Sequence, residues 1–284
     1  MSTITYLIQC KDNKGLLANI TAFFYGKGFN ILNCQQHTDT HIDKYFMRIK
    51  LDMTDMKMSR KDLEKEFAEF AKEYELKWSV NYSNNIKNVA ILVSKTSHCL
   101  YDLLLKHGEG DLKCNIPLII SNHPDLEYVA QQFKIPFYCL PITKETKKEQ
   151  ETKILDLLKK HHIDLVVLAR YMQILSNDFV SQYEENLINI HHAFLPAFQG
   201  ANPYQRAYER GVKLIGATAH YATAELDEGP IIEQNVERVT HESSVEDLKR
   251  IGKDIESVVL SNAVKSHLDN QIIVTNNRTI VFSN

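Results

Sequence analysis

Apolar and polar residues alternate over residues 3–9 (Thr-Ile-Thr-Tyr-Leu-Ile-Gln), the period-two pattern of a strand. Leu16, Leu17, Ile20, Phe23 and Phe24 then recur at helical spacing, and Gly26 and Gly28 close that helix. Strands are predicted at 29–37 and 44–53, around a polar stretch at 39–43. A second helix is predicted over 59–74, with Ser59 as N-cap and Leu63, Phe67 and Phe70 on one face. A fourth strand follows at 76–82. This βαββαβ order is the split-βαβ, ferredoxin-like arrangement.

The polar run Ser83-Asn84-Asn85-Ile86-Lys87 reads as a linker, so 1–82 forms one domain and 88–284 the other. Residues 88–94 are continuously apolar, as in a strand buried on both faces of a parallel sheet. Further strands are predicted at 116–121, 137–140, 164–169, 187–191 and 216–221, with helical runs at 97–107, 126–133, 148–161, 178–184 and 203–210. Asn202 is the expected N-cap of the last of these. Strands separated by helices imply βαβ units and an open, mostly parallel, Rossmann-like α/β sheet. A strand at 231–239, a long helix opened by the capping box Ser244–Asp247, and a terminal hairpin at 272–282 complete the pattern.

Composition narrows the function classes. The chain is 284 residues long, 44% apolar and 24% charged, with a net charge of −3. That balance suits a soluble globular protein and argues against a general binder of nucleic acid or anionic membranes. The apolar run at 3–9 is too short for a signal-peptide core, and no run reaches membrane-spanning length. The five cysteines are scattered, without a CxxC pair, which suits reduced thiols in the cytoplasm.

Candidate chemistry gathers at Asn189-Ile190-His191-His192, where a short β-branched run ends before Leu195-Pro196. If the strand is regular, Asn189 and His191 share one face and His192 takes the other, facing the core or supporting the site. A carboxamide beside an imidazole can bind a carbonyl oxygen and manage a proton. Asp227, within Leu226-Asp227-Glu228-Gly229-Pro230, can orient or charge the imidazole. Residue types alone leave open a hydrogen-bonded core histidine with Asp227 as a turn residue. The other histidines show no HExxH or Cys/His spacing, so no metal is expected.

Cys10-x-Asp12-x-x-Gly15-Leu16-Leu17 followed by Phe29-Asn30-Ile31 resembles an ACT domain. The resemblance implies an amino-acid effector, glycine or methionine, held at Asp12, Gly15 and Leu16 across a homo-oligomer interface. A purely structural role in packing subunits is the other reading. In the second domain, Ile188–His191, Leu195-Pro196, Gly216–His220 and Leu226–Ile232 resemble the 10-formyltetrahydrofolate-dependent formyltransferase fold. Ser121-Asn122-His123, Leu168–Leu175, the run His191–Phe198 and the ACT module narrow the resemblance to its formyltetrahydrofolate deformylase branch.

The resemblance implies Asn189, His191 and Asp227 as the catalytic group. It also implies folate contacts from Met172, Gln173, Ile174 and Leu175 and from the loop with Ala222, Thr223 and Leu226. No cofactor is implied; water is the co-substrate of a hydrolysis yielding tetrahydrofolate and formate. On that reading Asn189 and a protonated His191 donate to the oxyanion, and Asp227 favours the imidazolium and takes or relays the proton of water. The transformylases of the fold carry a Gly-rich turn that holds the acceptor's phosphate. Ser94-Lys95-Thr96-Ser97-His98 stands there without glycine, which favours water over an amine. A formyltransferase acting on a ribonucleotide amine, and an amino-acid-sensing folate binder without catalysis, remain the competing readings.

Overall fold

The alternating stretch at the start of the chain forms β1 (Thr3–Lys11), whose Ile4, Tyr6 and Ile8 are fully buried. The structure is a computed structural model that describes residues 2–54, 56–196 and 203–283. After β1 come α1 (Leu16–Gly26), β2 (Ile31–Asp39), β3 (Lys44–Asp52), α2 (Arg60–Glu73) and β4 (Lys77–Tyr82). Their sheet runs β2-β3-β1-β4 with every pairing antiparallel, the ferredoxin-like order. The apolar faces of both helices meet β1 in an aromatic core. Tyr6 and Phe67 lie 4.6 Å apart between ring centroids, and Phe24 stacks on Phe67 at 5.4 Å. Ser59 caps α2 as expected, its side chain accepting from the Asp62 amide.

The second unit is built from β5 (Lys87–Val93), α3 (His98–Gly108), β6 (Cys114–Ser121), α4 (Glu127–Gln132), β7 (Phe137–Cys139), α5 (Lys147–Lys160), β8 (Leu165–Leu168), α6 (Asn177–Ser181), β9 (Leu187–His191), α7 (Pro203–Arg210), β10 (Leu214–Tyr221), β11 (Ile231–Arg238) and α8 (Val245–Leu268). Asn202, expected to cap α7, lies outside the described residues, as do Ala197 and Phe198. The seven-stranded sheet runs β11-β10-β9-β8-β5-β6-β7. Its pairings from β7 to β9 are parallel; β10 and β11 join antiparallel. The order reverses between β5 and β8. A crevice therefore opens beyond the carboxyl ends of the strands there, where the two following connections part to opposite sides. The capping box of α8 is reciprocal: Asp247 N–H donates to Ser244 Oγ at 3.1 Å, and Ser244 N–H to Asp247 Oδ2 at 3.0 Å.

The domain boundary differs from the sequence expectation at the C-terminus. The terminal hairpin, β12 (Ile272–Thr275) and β13 (Arg278–Val281), was expected to belong with 88–284. Instead Asp269–Thr275 and Ile280–Asn284 count with Met1–Ile86, and the second unit is Lys87–Leu268 with Asn276–Thr279. The physical reason is a small apolar cluster of Phe46, Ile273 and Phe282, reinforced by Arg48 Nε donating to Asn270 O at 2.9 Å. Such a contact joins residues far apart in the chain and leaves no local signature. Among the described residues, no helix is long and apolar enough to cross a membrane.

Candidate active site

One cavity of about 870 Å³ opens in the second unit. The turn after β5, the segment after β8, the end of β9, the loop between β10 and β11, and residues of α7 and α8 line it. All ten residues expected at the catalytic and folate sites line it: Asn189, His191 and Asp227 with Met172, Gln173, Ile174, Leu175, Ala222, Thr223 and Leu226. Asp12, Gly15 and Leu16 lie in the first unit. There Gly15 offers no side-chain cap to α1, Asp12 is exposed, and the Leu16 side chain is buried, leaving only its backbone to meet a ligand.

Strand register assembles the polar face. Asn189 and His191 alternate with Ile190 along β9, and β10 sets His220 opposite Asn189 and Thr218 opposite His191. The His220 Nδ1 lies 3.0 Å from the Tyr221 carbonyl, which can only accept, so Nδ1 carries the proton. In the neutral ring Nε2 then accepts from Asn189 Nδ2 at 3.2 Å, fixing the carboxamide and leaving its second N–H free. His220 has no such role in the sequence reading. Its place opposite Asn189 is a register fact that no local motif carries.

Asp227 reaches this face because the loop after β10 folds back. Its backbone is left-handed, with φ 59°. Gly229 permits the return: a Cβ there would stand 1.7 Å from the Tyr221 carbonyl oxygen. Asp227 Oδ2 lies 3.1 Å from His191 Nδ1, and Oδ1 lies 3.6 Å from His220 Nε2. Burial alone would raise the Asp227 pKa. The hydrogen bond from His191, and then the nearness of the His220 ring, outweigh it and hold the carboxyl below the usual range. An ionised carboxylate in that place can orient His191 and balance its charge. His191 Nε2, by contrast, is buried and has no hydrogen-bond partner among the described residues.

The wall formed by the residues expected at the folate site is apolar and open. Met172, Ile174 and Leu226 are 58%, 62% and 59% exposed, an arrangement suited to covering a flat ring. A buried relay fixes this wall: Met172 N–H donates to Ser94 Oγ at 3.0 Å, and Ser94 Oγ donates to Asn122 Oδ1 at 2.6 Å. The Ser121-Asn122-His123 motif thus braces the segment after β8.

The far wall was not anticipated. Glu256 of α8 is 1% exposed and holds three partners. Tyr204 OH donates to Oε1 at 2.6 Å; His98 Nε2 and Arg170 Nε lie 2.8 and 3.4 Å from Oε2. Burial would raise the Glu256 pKa; the bonds from His98 and Tyr204 and the charge of Arg170 lower it on balance. Gly252 makes room, since a Cβ there would sit 2.0 Å from the Tyr204 hydroxyl. His98, Cys99 and Glu256 come near metal-ligand spacing. The donor set does not fit a cation, because burial raises the Cys99 thiol pKa and the Arg170 guanidinium already faces the carboxylate.

His192 departs from its expected orientation. Strand β9 ends at His191, so alternation does not extend to His192, which lines the cavity with its ring centroid 5.3 Å from that of His191.

A parallel-sheet crevice holding an Asn-His-Asp group is the frame of a formyl transferase, and residues 87–264 match the formyl transferase family. A formyltetrahydrofolate deformylase of Synechocystis sp. is 53% identical over 281 residues, 99% of either chain. One from Bacillus subtilis is 46% identical over 98% of this chain and 93% of its own. The crystal structure of a formyltetrahydrofolate deformylase from Pseudomonas syringae pv. tomato superposes with a TM-score of 0.97 at 39% identity, covering 100% of this chain and 95% of that one. The chain belongs to the formyltetrahydrofolate deformylase family.

Proposed function

We propose that the chain hydrolyses 10-formyltetrahydrofolate to tetrahydrofolate and formate, with water as co-substrate and no cofactor. The observation that carries the reading is the state of His191. Its Nδ1 is tied to the Asp227 carboxylate, while Nε2 is buried with no hydrogen-bond partner among the described residues, in a residue that lines the cavity. That is the arrangement of an oriented general base. The oxygen of water bonds to the formyl carbon as His191 Nε2 takes one water proton. The negative charge developing on the formyl oxygen meets the free N–H of Asn189, a donor worth about 10²–10³ in rate. Collapse breaks the C–N bond, N10 takes the proton back from His191, and formic acid ionises on release. Asp227 balances the imidazolium between the two transfers.

The apolar wall of Met172, Ile174 and Leu226 supports binding of the pterin ring. The same reading makes the protein a cytoplasmic enzyme supplying formate to purine synthesis. The first unit supports an ACT-type role, with glycine or methionine received by the uncapped start of α1 in a homo-oligomer. Titrating the full chain with each amino acid by calorimetry tests that role; no heat from either removes it. Incubation with 10-formyltetrahydrofolate alone tests the activity. Formate release without an acceptor supports hydrolysis, and release only on adding a ribonucleotide amine supports a transferase instead.

A further inference from the structure

Hydrolysis asks for more than a base. A water molecule has two O–H bonds, and His191 Nε2 can receive only one. The other must be held if an oxygen lone pair is to face the formyl carbon, and misplacement by about 1 Å costs on the order of 100-fold in rate. The described residues already assigned are engaged elsewhere. Both Asp227 oxygens face histidines, and Asn189 divides its two N–H groups between His220 and the formyl oxygen.

We propose that His192 is the positioning residue for the attacking water: its imidazole, lodged in the cavity between His191 and Tyr204, accepts the second O–H and turns the water oxygen toward the formyl carbon. The inference rests on the hydrolase reading above. Four observations carry it. The ring lines the cavity, with centroids 5.3 Å from His191 and 6.3 Å from Tyr204. No hydrogen bond from another described residue occupies its nitrogens.

The backbone around it is fixed on both sides. Strand β9 leads into it, and Thr218 grips the chain beyond it, donating to Ala193 O at 2.9 Å and accepting from Leu195 N–H at 3.1 Å. Gln234 Nε2 reinforces this by bonding Leu195 O at 3.1 Å and Thr218 Oγ1 at 2.9 Å. A side chain launched from so braced a segment can hold a water to one place.

Finally, the ring is an acceptor at neutral pH. Burial first, then the charges of Arg170 and His191, lower its pKa to about 4, against the opposing pull of Glu256 and Asp227. A neutral imidazole keeps one lone pair and one N–H. A ring that only filled space would need neither.

The test compares His192→Gln, which keeps a polar group at similar reach, with His192→Leu and His192→Ala. Formate release by the wild type is measured first, and its absence would overturn the hydrolase reading rather than this one. Expected are a kcat lower by about 10–100-fold in the Leu and Ala variants, KM within about threefold, an unchanged melting temperature, and recovery of roughly tenfold in the Gln variant. Free imidazole should raise turnover of His192→Ala. Should His192→Leu not fold, His192→Gln against His192→Asn, whose amide stops short, makes the same comparison. A kcat within threefold of wild type in every folded variant overturns the proposal. So does a loss equal in polar and apolar variants, accompanied by a rise in KM and a fall in melting temperature.

Discussion

Replacing Asp227 by Asn isolates its charge, because the carboxamide oxygen can still accept from His191 Nδ1. The carboxylate lies 3.1 Å from that nitrogen with 12% of its side chain exposed. For two unit charges at that distance, an effective dielectric of about 20 gives about 5 kcal/mol. If His191 becomes imidazolium in the transition state, the Asn variant forfeits that attraction. At about 1.4 kcal/mol per decade the ceiling is near 10⁴ in kcat. Water in the open cavity screens part of it, so the expected loss is about 10²–10⁴. The assay is acceptor-free formate release by Asp227→Asn, with tetrahydrofolate affinity and melting temperature as controls. Retained binding with the predicted fall in kcat supports the charge-balancing part. A folded variant within tenfold of wild type would refute it, and with it the view that His191 cycles through a charged state.

Asn189→Ala removes one oxyanion donor and should lower kcat by about 10²–10³ with little change in KM, read in the same assay. Ile174→Ser thins the apolar wall, which binds ground and transition states alike. It should raise KM about tenfold, for roughly 1.5 kcal/mol of lost burial, and leave kcat alone. The buried His267 accepts from Lys87 Nζ through Nε2 at 3.1 Å and meets Tyr221 OH through Nδ1 at 2.8 Å. Burial first, then the Lys87 charge, lowers its pKa to about 3. Between that value and the unfolded value of about 6.5 the unfolded chain holds the extra proton, so stability falls as pH drops through this window. His267→Gln should flatten the slope of urea-derived stability between pH 6 and pH 4 by about 1.4 kcal/mol per pH unit; an unchanged slope would show the ring protonated in the fold.

Much of the fold was legible locally. Period-two and helical spacing marked nearly every element, because each must bury one face or stripe. Ser59 and Ser244 marked helix starts, because their hydroxyls satisfy amides that no helix turn can reach. Asn189 and His191 were legible as a pair because strand geometry puts alternate residues on one face.

Where locality ended, so did the reading. His192 was misplaced because the rule of alternation holds only while the strand does, and β9 stops one residue earlier. His220 and Glu256 went unrecognised because strand register brings the first to Asn189 and helix docking the second to Arg170. The hairpin was assigned to the wrong unit because Ile273 and Phe282 meet Phe46 only in three dimensions.

The sequence by itself determined the two architectures, the carboxyl-end position of Asn189 and His191, and the residue types available for chemistry. These follow from spacing along a few turns or strands, where neighbours in sequence are neighbours in space. Only the tertiary structure decided which nitrogen of His191 meets Asp227, that the Asp227 carboxyl is held below its usual range, and that His192 lines the cavity. Protonation and access depend on burial and on charges brought from distant segments, and those are properties of the packed molecule.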